Sequence, residues 1–368
     1  SSTGVRVSDS DKVHLLANNI SFNTADGVYG YPSVNLLIED NDFSNNGYHG
    51  ITMIGDGSSN QVIVRNNRAN ENGNSGLFIG KITNGIIADN TAMRNSQDGF
   101  SIFGDNFNFS NNTATFNDNS GLVSRGNNSI IQDNILNDNS QAGGTNTGSG
   151  IFIWDDITST NLTIFNNSLE RNSGGLELNG VYNSLIFHNW VEDNYFCSIY
   201  IKNFHNNKIY DNYFKSEQLF WWESPVEGIS WNTTKTPGPN IVGGPFIGGN
   251  FWESSRIGGD FARTIPDYDG DGFADSIVDL SPITDYLPLK GNYATSNFTA
   301  SPAFGENPLV VEFTDLSTGP SIYYWNWDFG DGDSTNSTSA NPTHGYLNPG
   351  IYSVNLTITN PYGSDSEF

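Results

Sequence analysis

A short motif, a glycine followed by alternating apolar residues, returns along the sequence and limits the folds open to it. The copies start 22 to 29 residues apart, at Gly4, Gly27, Gly50, Gly76, Gly99, Gly121, Gly150 and Gly175, and Ser198 takes the same place in a ninth copy. Alternation with a period of two is typical of strands, and repeats this short leave no room for pairs of helices. Each copy is therefore predicted to be one turn of short strands.

The aligned copies share columns of asparagine and of apolar residues. The main asparagine column holds Asn19, Asn41, Asn67, Asn90, Asn112, Asn134, Asn167, Asn189 and Asn212, with a second column five residues downstream and a third six residues upstream. Three residues before the main column stand Leu16, Ile38, Val64, Ile87, Phe109, Ile131, Ile164, Ile186 and Ile209. An asparagine amide both donates to and accepts from an identical neighbour one strand spacing away, and asparagine tolerates left-handed turns. The columns therefore predict asparagine ladders at the bends around an apolar interior.

Together these columns predict an all-β fold, a right-handed parallel β-helix of about nine coils, over residues 1–218. Nine coils at ~4.8 Å each make a rod of roughly 40 Å. The repeat resembles the right-handed β-helix repeat family, which includes NosD-type copper-site maturation proteins and carbohydrate-binding or sugar-hydrolase β-helices. The resemblance implies the fold and leaves the function open, because this scaffold carries lyases, hydrolases, epimerases, tailspikes and inert adhesins. A role in copper-site maturation is disfavoured, since two Met, one Cys and dispersed His offer little to a soft metal.

Residues 219–292 break the repeat and are rich in Trp, Pro and Gly. The end of a β-helix is an unpaired sheet edge that must be covered. The bulky side chains of Trp221, Trp222, Phe251 and Trp252 suit such a cover, so this segment is predicted to close the helix.

The closing segment contains an acidic loop, PDYDGDGFAD, whose spacing follows the first nine positions of a calcium loop. The predicted ligands are the side chains of Asp267, Asp269, Asp271 and Asp275 and the carbonyl of Phe273. Position twelve is Val278, where an EF-hand has a bidentate Glu. The loop resembles the closing segment of archaeal and bacterial NosD-like surface proteins. A structural calcium ion is predicted here, with a metal-free acidic turn as the alternative.

Residues 293–368 show short alternating stretches separated by Asp-Gly and Pro-Gly turns, the pattern of a small sandwich. A run of Trp327, Phe329, Gly330, Asp331 and Gly332 is followed by Asn341, Pro342, His344, Tyr346, Pro349, Gly350 and Tyr352. These residues closely resemble a polycystic kidney disease (PKD) domain. The resemblance implies an extracellular spacer or adhesion module in which His344 is a structural residue.

The charge of the protein restricts its partners. The net charge is −25 with only 15 Lys and Arg among 368 residues, so the field repels nucleic acid and anionic lipid headgroups. No apolar run approaches the ~18 residues of a membrane span. The lone Cys197 excludes a disulfide within the chain and is predicted to be a small buried residue. The start inside the repeat indicates a fragment of a longer precursor.

The high acidity, the calcium-type loop and the PKD resemblance agree on an extracellular, cell-surface setting. The resemblances point to an archaeal-type envelope or surface layer. Glycosylation sequons lie both inside and outside the repeat, and those outside it are expected to be the better acceptors. The predicted acceptors are Asn232, Asn297 and Asn336.

Residues two and four places after each repeat glycine are predicted to face outward, and this flank is rich in aromatic residues. Sugar rings stack on aromatic faces while carboxylates hold hydroxyl groups, so the flank is a candidate glycan-binding strip. Its residues are Phe103, Phe152, Trp154, Glu177 and Tyr200. An enzyme would need paired carboxylates or the calcium-plus-Arg chemistry of a lyase, and the candidates are Asp155, Asp156 and Glu177.

Two hypotheses therefore stay open. The first is a non-catalytic cell-surface protein, a rigid stalk that binds glycans or neighbouring surface proteins. The second is a secreted polysaccharide lyase or glycoside hydrolase with the PKD domain as an accessory. Basic residues that could neutralise a uronate are scarce, Arg125 and Lys202 being the nearest, and this favours the first hypothesis.

Overall fold

The computed structural model describes residues 2–8, 10, 12–31, 35–55, 60–140, 148–154, 158–254, 261, 265–269, 271–279, 283–291, 294–319, 321–332, 338–360 and 363–368. The fold is all-β, as predicted. Its contacts divide the chain into two compact units. The first comprises Ser1–Ile241 and Pro245–Leu289, and the second comprises Val242–Gly244 and Lys290–Phe368.

The first unit is a parallel β-helix of about nine turns, which confirms the predicted architecture. Its first face consists of β1 (Val5–Ser8), β3 (Val28–Tyr31), β5 (Ile51–Ile54), β7 (Leu77–Ala88), β9 (Phe100–Asp105), β12 (Leu122–Arg125), β15 (Ser149–Ile153), β19 (Gly174–Asn179), β23 (Cys197–His205) and β26 (Phe220–Glu227). All of these strands pair in parallel with the strand one coil away.

The second face belongs to the same sheet, and the third face is a separate sheet. The second face consists of β2 (Val13–Leu16), β4 (Leu36–Glu39), β6 (Asn60–Arg65), the end of β7, β10 (Asn108–Ser110), β13 (Ile130–Gln132), β17 (Thr163–Phe165), β21 (Leu185–Phe187) and β24 (Lys208–Tyr210), with β16 (Ser159–Thr160) and β20 (Val181–Tyr182) at its margin. The third face consists of β8 (Thr91–Met93), β11 (Thr113–Thr115), β14 (Ile135–Asn137), β18 (Ser168–Glu170), β22 (Trp190–Glu192), β25 (Tyr213–Lys215) and β29 (Phe251–Glu253).

The core of the helix is a set of stacked columns, because the register places the same repeat position inside in every coil. The predicted column from Ile38 to Ile209 is fully buried. A second inward column, on the third face, includes Phe43, Ala92, Leu136 and Phe214 and is also fully buried. The interior is therefore continuous along the axis.

The main asparagine column forms a buried ladder. Each Nδ2 donates to the Oδ1 of the next asparagine at 2.8–3.2 Å, through Asn18, Asn41, Asn67, Asn90, Asn112, Asn134, Asn167, Asn189, Asn212 and Asn250. The same Nδ2 also donates to backbone carbonyls at the bend, as Asn41 does to Leu15 and Glu39. The second column forms a similar ladder, as between Asn46 and Asn72 through the backbone N–H. These amides satisfy the bends of the coils without water.

The left-handed turns do not fall on the ladder asparagines. They fall on the residue before each one, including Asp40 (φ 60°), Asp89 (φ 57°) and His188 (φ 54°). In the third column the asparagines themselves are left-handed, with φ between 49° and 57° at Asn35, Asn84, Asn106, Asn128, Asn161, Asn183 and Asn206. Asparagine therefore serves two separate purposes here, an amide ladder in two columns and conformational tolerance in the third.

The first coil departs from the predicted alignment by one residue. The strand pairing sets Leu15, not Leu16, opposite Ile38, and Leu16 is 49% exposed. The ladder accordingly begins at Asn18, which bonds to Asn41, and not at Asn19. The local sequence is Leu-Leu-Ala-Asn-Asn, so both alignments offer an apolar residue and an asparagine, and only strand pairing decides between them.

The closing segment continues the columns of the helix. Phe251 stacks on Tyr213 with ring centroids 4.6 Å apart, and Trp252 stacks on Phe214 at 4.9 Å. Trp252 donates its Nε1–H to the buried Asp285 at 2.9 Å. The segment also holds two short pairs, β27 (Thr236–Pro237) with β28 (Phe246–Ile247) and β30 (Val278–Asp279) with β31 (Thr284–Asp285). Phe251 and Trp252 are buried in this cover, whereas Trp221 and Trp222 are 49% and 42% exposed on β26.

The second unit is a sandwich of two three-stranded sheets. One sheet contains β32 (Phe298–Ser301), β33 (Leu309–Asp315) and β35 (Thr343–Tyr346), and the other contains β34 (Tyr324–Asp328), β36 (Asn355–Asn360) and β37 (Gly363–Glu367). Trp327 is fully buried and packs on Phe313 and Phe329. His344 stacks on Phe329 at 4.1 Å, and its Nε2 lies 2.7 Å from a carboxylate oxygen of Asp331. These contacts place His344 in the packing of the sandwich.

Candidate functional site

The outward residues of the first face stand in two parallel columns. Strand pairing aligns the first as Arg6, Tyr29, Thr52, Phe78, Ser101, Val123, Phe152, Glu177, Tyr200 and Trp221. The second column, two residues further along each strand, contains Phe103 beside Arg125 and Lys202 beside Glu223. The late end of this face, toward β26, carries Glu177, Tyr200 and Trp221 in consecutive coils.

An open cleft lies at that end of the face. Its walls include Glu177, Phe196, Tyr200, Trp221 and Glu223, with Ser149 and Cys197 among the other lining residues. The Phe196 ring lies 6.5 Å from the Tyr200 ring and 5.9 Å from the Trp221 ring, with interplanar angles of 62° and 47°. The three rings therefore border the cleft, and Phe196 is inclined to both of the others.

Hydrogen bonds hold the Glu177 carboxylate in place at the cleft. Ser149 Oγ donates to its Oε2 at 3.0 Å, and Asn179 Nδ2 donates to its Oε1 at 3.3 Å. Ser149 lies on the preceding coil and Asn179 lies on the same strand as Glu177. The residue is half-buried, and donors on both oxygens favour one orientation of the carboxylate.

A second carboxylate, that of Glu223, stands at the mouth of the cleft. Its Oε2 lies 3.5 Å from Nζ of Lys202, and both side chains are largely exposed. Cys197 is fully buried in the cleft wall, where burial and the nearby Glu177 raise the pKa of the thiol. The thiol is therefore neutral at physiological pH and adds no charge to the site.

The predicted glycan strip divides between this cleft and a more remote aromatic group. Glu177 and Tyr200 line the cleft, and Phe152 pairs with Glu177 in the register. Trp154 stacks near Phe152, with centroids 6.4 Å apart and an interplanar angle of 19°. Phe103 lies further away and carries the Arg125 guanidinium over its ring at 5.3 Å. The predicted residues share one face but do not form one pocket.

Three residues of the cleft carry no signal in the repeat pattern. Phe196 precedes the repeat position of Ser198 and lies at a bend, and Trp221 and Glu223 come after the recognisable repeat. Continuing the outward column by one more coil would have brought Trp221 next to Tyr200. Of the predicted catalytic candidates, Glu177 is at the cleft, whereas Asp155 and Asp156 lie outside the described residues.

A seam of polar residues, buried except for the half-buried Asp98, runs beside the first outward column. It involves the position just before each repeat glycine, which is Asp26, His49, Ser75, Asp98, Ser120 and Ser149 in successive coils. Ser101 Oγ donates to Asp98 at 2.9 Å, and Asn119 Nδ2 donates to the same carboxylate at 2.7 Å. The sequence gives little sign of the seam because the residue type changes from coil to coil.

Burial changes the protonation of two groups in the seam. It raises the pKa of Asp98 to about 6, although hydrogen bonds from Ser101 and Ser120 oppose the shift. Burial also lowers the pKa of His49, and the Nδ1 of this ring accepts a hydrogen bond from the Ser75 N–H at 3.2 Å. Asp98 is thus a carboxyl group with the pKa of a general acid, set beside the outward face.

The acidic loop brings three predicted calcium ligands together. Asp267, Asp269 and Asp271 each place a carboxylate oxygen within 4.8 Å of the others. Asp271 is ion-paired with Lys235; partial burial raises the pKa of Asp271, but Lys235 and the Phe273 N–H more than offset this and lower it. The donor set is entirely hard oxygen, which fits Ca²⁺.

The other two predicted calcium ligands also take part in the loop. The Asp275 carboxylate accepts a hydrogen bond from the Tyr268 N–H. Phe273 forms a backbone bridge with Leu289, and its ring is buried. The loop is thus tied into the closing segment, and an ion held there would link the loop to the cover of the helix.

The predicted glycosylation sites differ in exposure. Asn297 is exposed at the start of the sandwich, and Asn232 is half-buried, with its Nδ2 3.4 Å from the Thr233 carbonyl. Asn336 lies outside the described residues. Asn297 is therefore the more accessible of the two described acceptors.

A larger apolar groove, of about 510 Å³, lies within the sandwich unit. Leu309, Val311 and Phe313 contribute from β33, and Ile351 and Tyr352 contribute from the segment after β35. Ile351 is fully exposed. The groove offers apolar surface but few groups that could orient a polar ligand.

Family comparisons match three parts of the chain. Residues 3–151 match the right-handed β-helix region, residues 103–256 match the periplasmic copper-binding protein NosD, and residues 296–367 match the PKD domain. These matches support the β-helix followed by a PKD domain. No curated protein sequence matches the chain significantly.

Copper does not fit the residues of the NosD-like part. Cys197 is buried, His188 is paired with Asp211, and His205 stacks on Tyr182. Among the described residues, the acidic loop is the one group of three or more His, Cys, Asp or Glu side chains that is close enough to hold a metal. We therefore derive no copper chemistry for this chain.

Solved structures with a similar course of the chain belong to phage and bacterial proteins. Tailspike protein 2 from Escherichia coli O157:H7 bacteriophage CAB120 is 11% identical, with a TM-score of 0.46 over 99% of this chain and 64% of the tailspike. The A-module of an Azotobacter vinelandii mannuronan C-5 epimerase is 15% identical, with a TM-score of 0.33 over 60% of this chain and 81% of the module. The chain thus spans less than two thirds of the tailspike, and similarity at this level carries no information on function.

In the part of the chain that the structure describes, no helix is long and apolar enough to cross a membrane.

Proposed function

We propose that this protein is a non-catalytic, extracellular glycan-binding protein of the cell surface, in which the β-helix is a rigid stalk. The cleft between Glu177 and Trp221 is proposed as the binding site. The observation that supports this most strongly is the arrangement of Phe196, Tyr200 and Trp221 around an oriented carboxylate. The exposed ring of Trp221 offers a surface for stacking a sugar ring, and a fixed carboxylate accepts hydrogen bonds from hydroxyl groups.

The scaffold suits such a role because it holds the site rigidly. Tyr200 and Trp221 are on adjacent paired strands, and Glu177 is one strand further along. Side chains on regular paired strands are held on a fixed backbone, so ordering the site costs little when a ligand binds. A glycan would therefore meet a preformed surface.

A catalytic alternative is a polysaccharide lyase or glycoside hydrolase. It is favoured by Asp98, whose raised pKa suits a general acid. The non-catalytic proposal is preferred because basic groups that could neutralise a uronate are scarce, with only 15 Lys and Arg among 368 residues. At the cleft the basic neighbour is Lys202, and it already lies beside Glu223.

The proposed setting is the outside of the cell, and an archaeal-type envelope stays part of the proposal on the sequence resemblance alone. The extracellular setting is supported by the PKD match, by the periplasmic family matched at residues 103–256 and by the net charge of −25. We also propose that the acidic loop binds a structural calcium ion, as calcium is a common extracellular ligand of hard oxygen sites. Accessibility of the protein to an added protease on intact cells tests the location.

The function is tested by incubating the purified chain, with calcium, against neutral, acidic and amino-bearing polysaccharides. Retention by affinity electrophoresis and the release of new reducing or unsaturated sugar ends are both recorded. Retention without new ends is expected. Cleavage of any member would replace the proposal with the catalytic alternative, and D98N would then be the first variant to assay.

A further inference from the structure

We propose, on the basis of the glycan-binding role above, that the cleft recognises a protonated amine, so that its ligand is a glycan with free amino sugars. The site combines three aromatic rings with two carboxylates, those of Glu177 and Glu223. A cation gains from the faces of aromatic rings and from opposite charge, whereas a neutral sugar gains mainly from ring stacking. The composition of the cleft therefore favours a cation.

The orientation of the rings supports the same assignment. Phe196 is inclined by 62° to Tyr200 and by 47° to Trp221. Phe196 therefore does not extend either neighbour into a flat platform, and all three rings line the cleft, where an ammonium group would meet aromatic surface. A single flat platform would instead suit the broad face of a neutral pyranose.

The cavity is large enough for a substituent of a sugar, such as an amino group, but not for a whole sugar ring. Its volume is about 60 Å³, room for a few water-sized groups at roughly 10–15 Å³ each. An ammonium group is about as large as one water molecule and fits into this volume. The sugar ring would stay outside, against the exposed face of Trp221.

Charges around the cleft also favour a cation. Glu177 accepts hydrogen bonds on both carboxylate oxygens, from Ser149 and Asn179, and is held as an acceptor at the cleft. Lys202 lies 3.5 Å from Glu223 at the mouth and competes with an incoming ammonium for that carboxylate. The net charge of −25 adds a long-range field that attracts cationic polymers.

The experiment compares two ligands that differ only in the amine, a chitosan hexasaccharide and its fully N-acetylated counterpart. Titration calorimetry at low salt is expected to show about tenfold tighter binding of the amine form, which corresponds to ~1.4 kcal/mol and lies between the exposed and the desolvated values of a cation–π contact. E177Q and E223Q should each reduce that preference. E71Q is the matched control, because it makes the same charge change on an exposed residue several coils away, and it should leave the preference unchanged. K202Q should strengthen binding of the amine form by removing a competing ammonium.

The outcomes separate this inference from the function on which it rests. Equal binding of both hexasaccharides, weakened by W221A, would overturn the amine inference and keep the glycan site. An amine preference that E177Q, E223Q and E71Q reduce equally would assign it to net charge and would also overturn the inference. Absence of binding to either hexasaccharide and to every polysaccharide of the panel would overturn both proposals.

Discussion

The side-chain amide of Asn212 donates to Oδ1 of Asn250 at 2.9 Å, across 38 residues of sequence. This bond joins the repeat to the closing segment, because Asn250 continues the asparagine ladder in a part of the chain without the repeat motif. Asn250 also donates to the Ile209 and Trp231 carbonyls. One fully buried residue thus satisfies polar groups of three other residues.

Replacing Asn250 by alanine is expected to lower the free energy of unfolding of the first unit by about 2–4 kcal/mol, since several buried polar groups would lose their partners. Urea unfolding followed by tryptophan fluorescence measures the change. N18A is the matched control, because Asn18 is the exposed end of the same ladder. An equal loss in both variants would show that the ladder does not tie the cover to the helix.

The first coil offers a second test of the register. Leu15 faces the core opposite Ile38 and Leu16 faces solvent. L15A is expected to cost about 1–2 kcal/mol of unfolding free energy, because the site is only partly buried, and L16A less than about 0.5 kcal/mol. A larger loss in L16A than in L15A would restore the alignment that begins the ladder at Asn19.

The stability of the first unit is expected to depend on pH through buried acids. The pKa of Asp98 and that of Asp285 are both raised to about 6 by burial, whereas an unfolded Asp titrates near ~3.9. The folded state therefore binds more protons between about pH 4 and pH 6, and its stability falls as pH rises through this window, by up to ~1.4 kcal/mol per unit for each group.

The variant D98N removes one of these two groups. Its urea midpoint should fall less steeply between pH 4 and pH 6 than that of the unmodified protein, while Asp285 still contributes. The exposed Asp118 provides the control variant D118N, which should keep the original slope. An unchanged slope in D98N would mean that Asp98 ionises normally in the folded state.

Calcium is expected to stabilise the closing segment. At a hundredfold excess over its dissociation constant, an ion that binds only the folded state adds about 2.7 kcal/mol. Thermal unfolding with calcium and with a chelator should therefore differ, and D269N should abolish the difference while D118N keeps it. If the unfolding temperature is the same with and without calcium, the calcium proposal is wrong and the acidic loop is a metal-free turn held by Lys235.

The repeat made most of the first unit predictable, because aligning one coil with the next determines which of its residues face the core. The prediction went wrong at Leu16, where two leucines and two asparagines stand side by side. It also did not find Asn250, because 38 residues separate it from Asn212 and the spacing that defines the column is lost. Strand pairing, not sequence spacing, identifies such members.

The site was only partly predictable for a similar reason. Glu177 and Tyr200 follow from their fixed distance to the repeat position, and both line the cleft. Trp221 was assigned to the cover, and Phe196 lies at a bend, where the period-two pattern says nothing about direction. The cleft is formed by a bend, two strands of the repeat and one strand after the repeat. Only the three-dimensional structure shows that these parts lie together.

The central claim is that the cleft binds a glycan without cleaving it, and titration of the W221A variant tests it most directly. The glycan retained best by the unmodified protein is titrated against W221A and against Y286A, which removes an exposed aromatic residue of the closing segment. We expect at least about fivefold weaker binding for W221A, since a stacked ring is worth ~1 kcal/mol or more, unchanged binding for Y286A and no new sugar ends in any sample. Unchanged binding in W221A, or release of sugar ends by the unmodified protein, would contradict it.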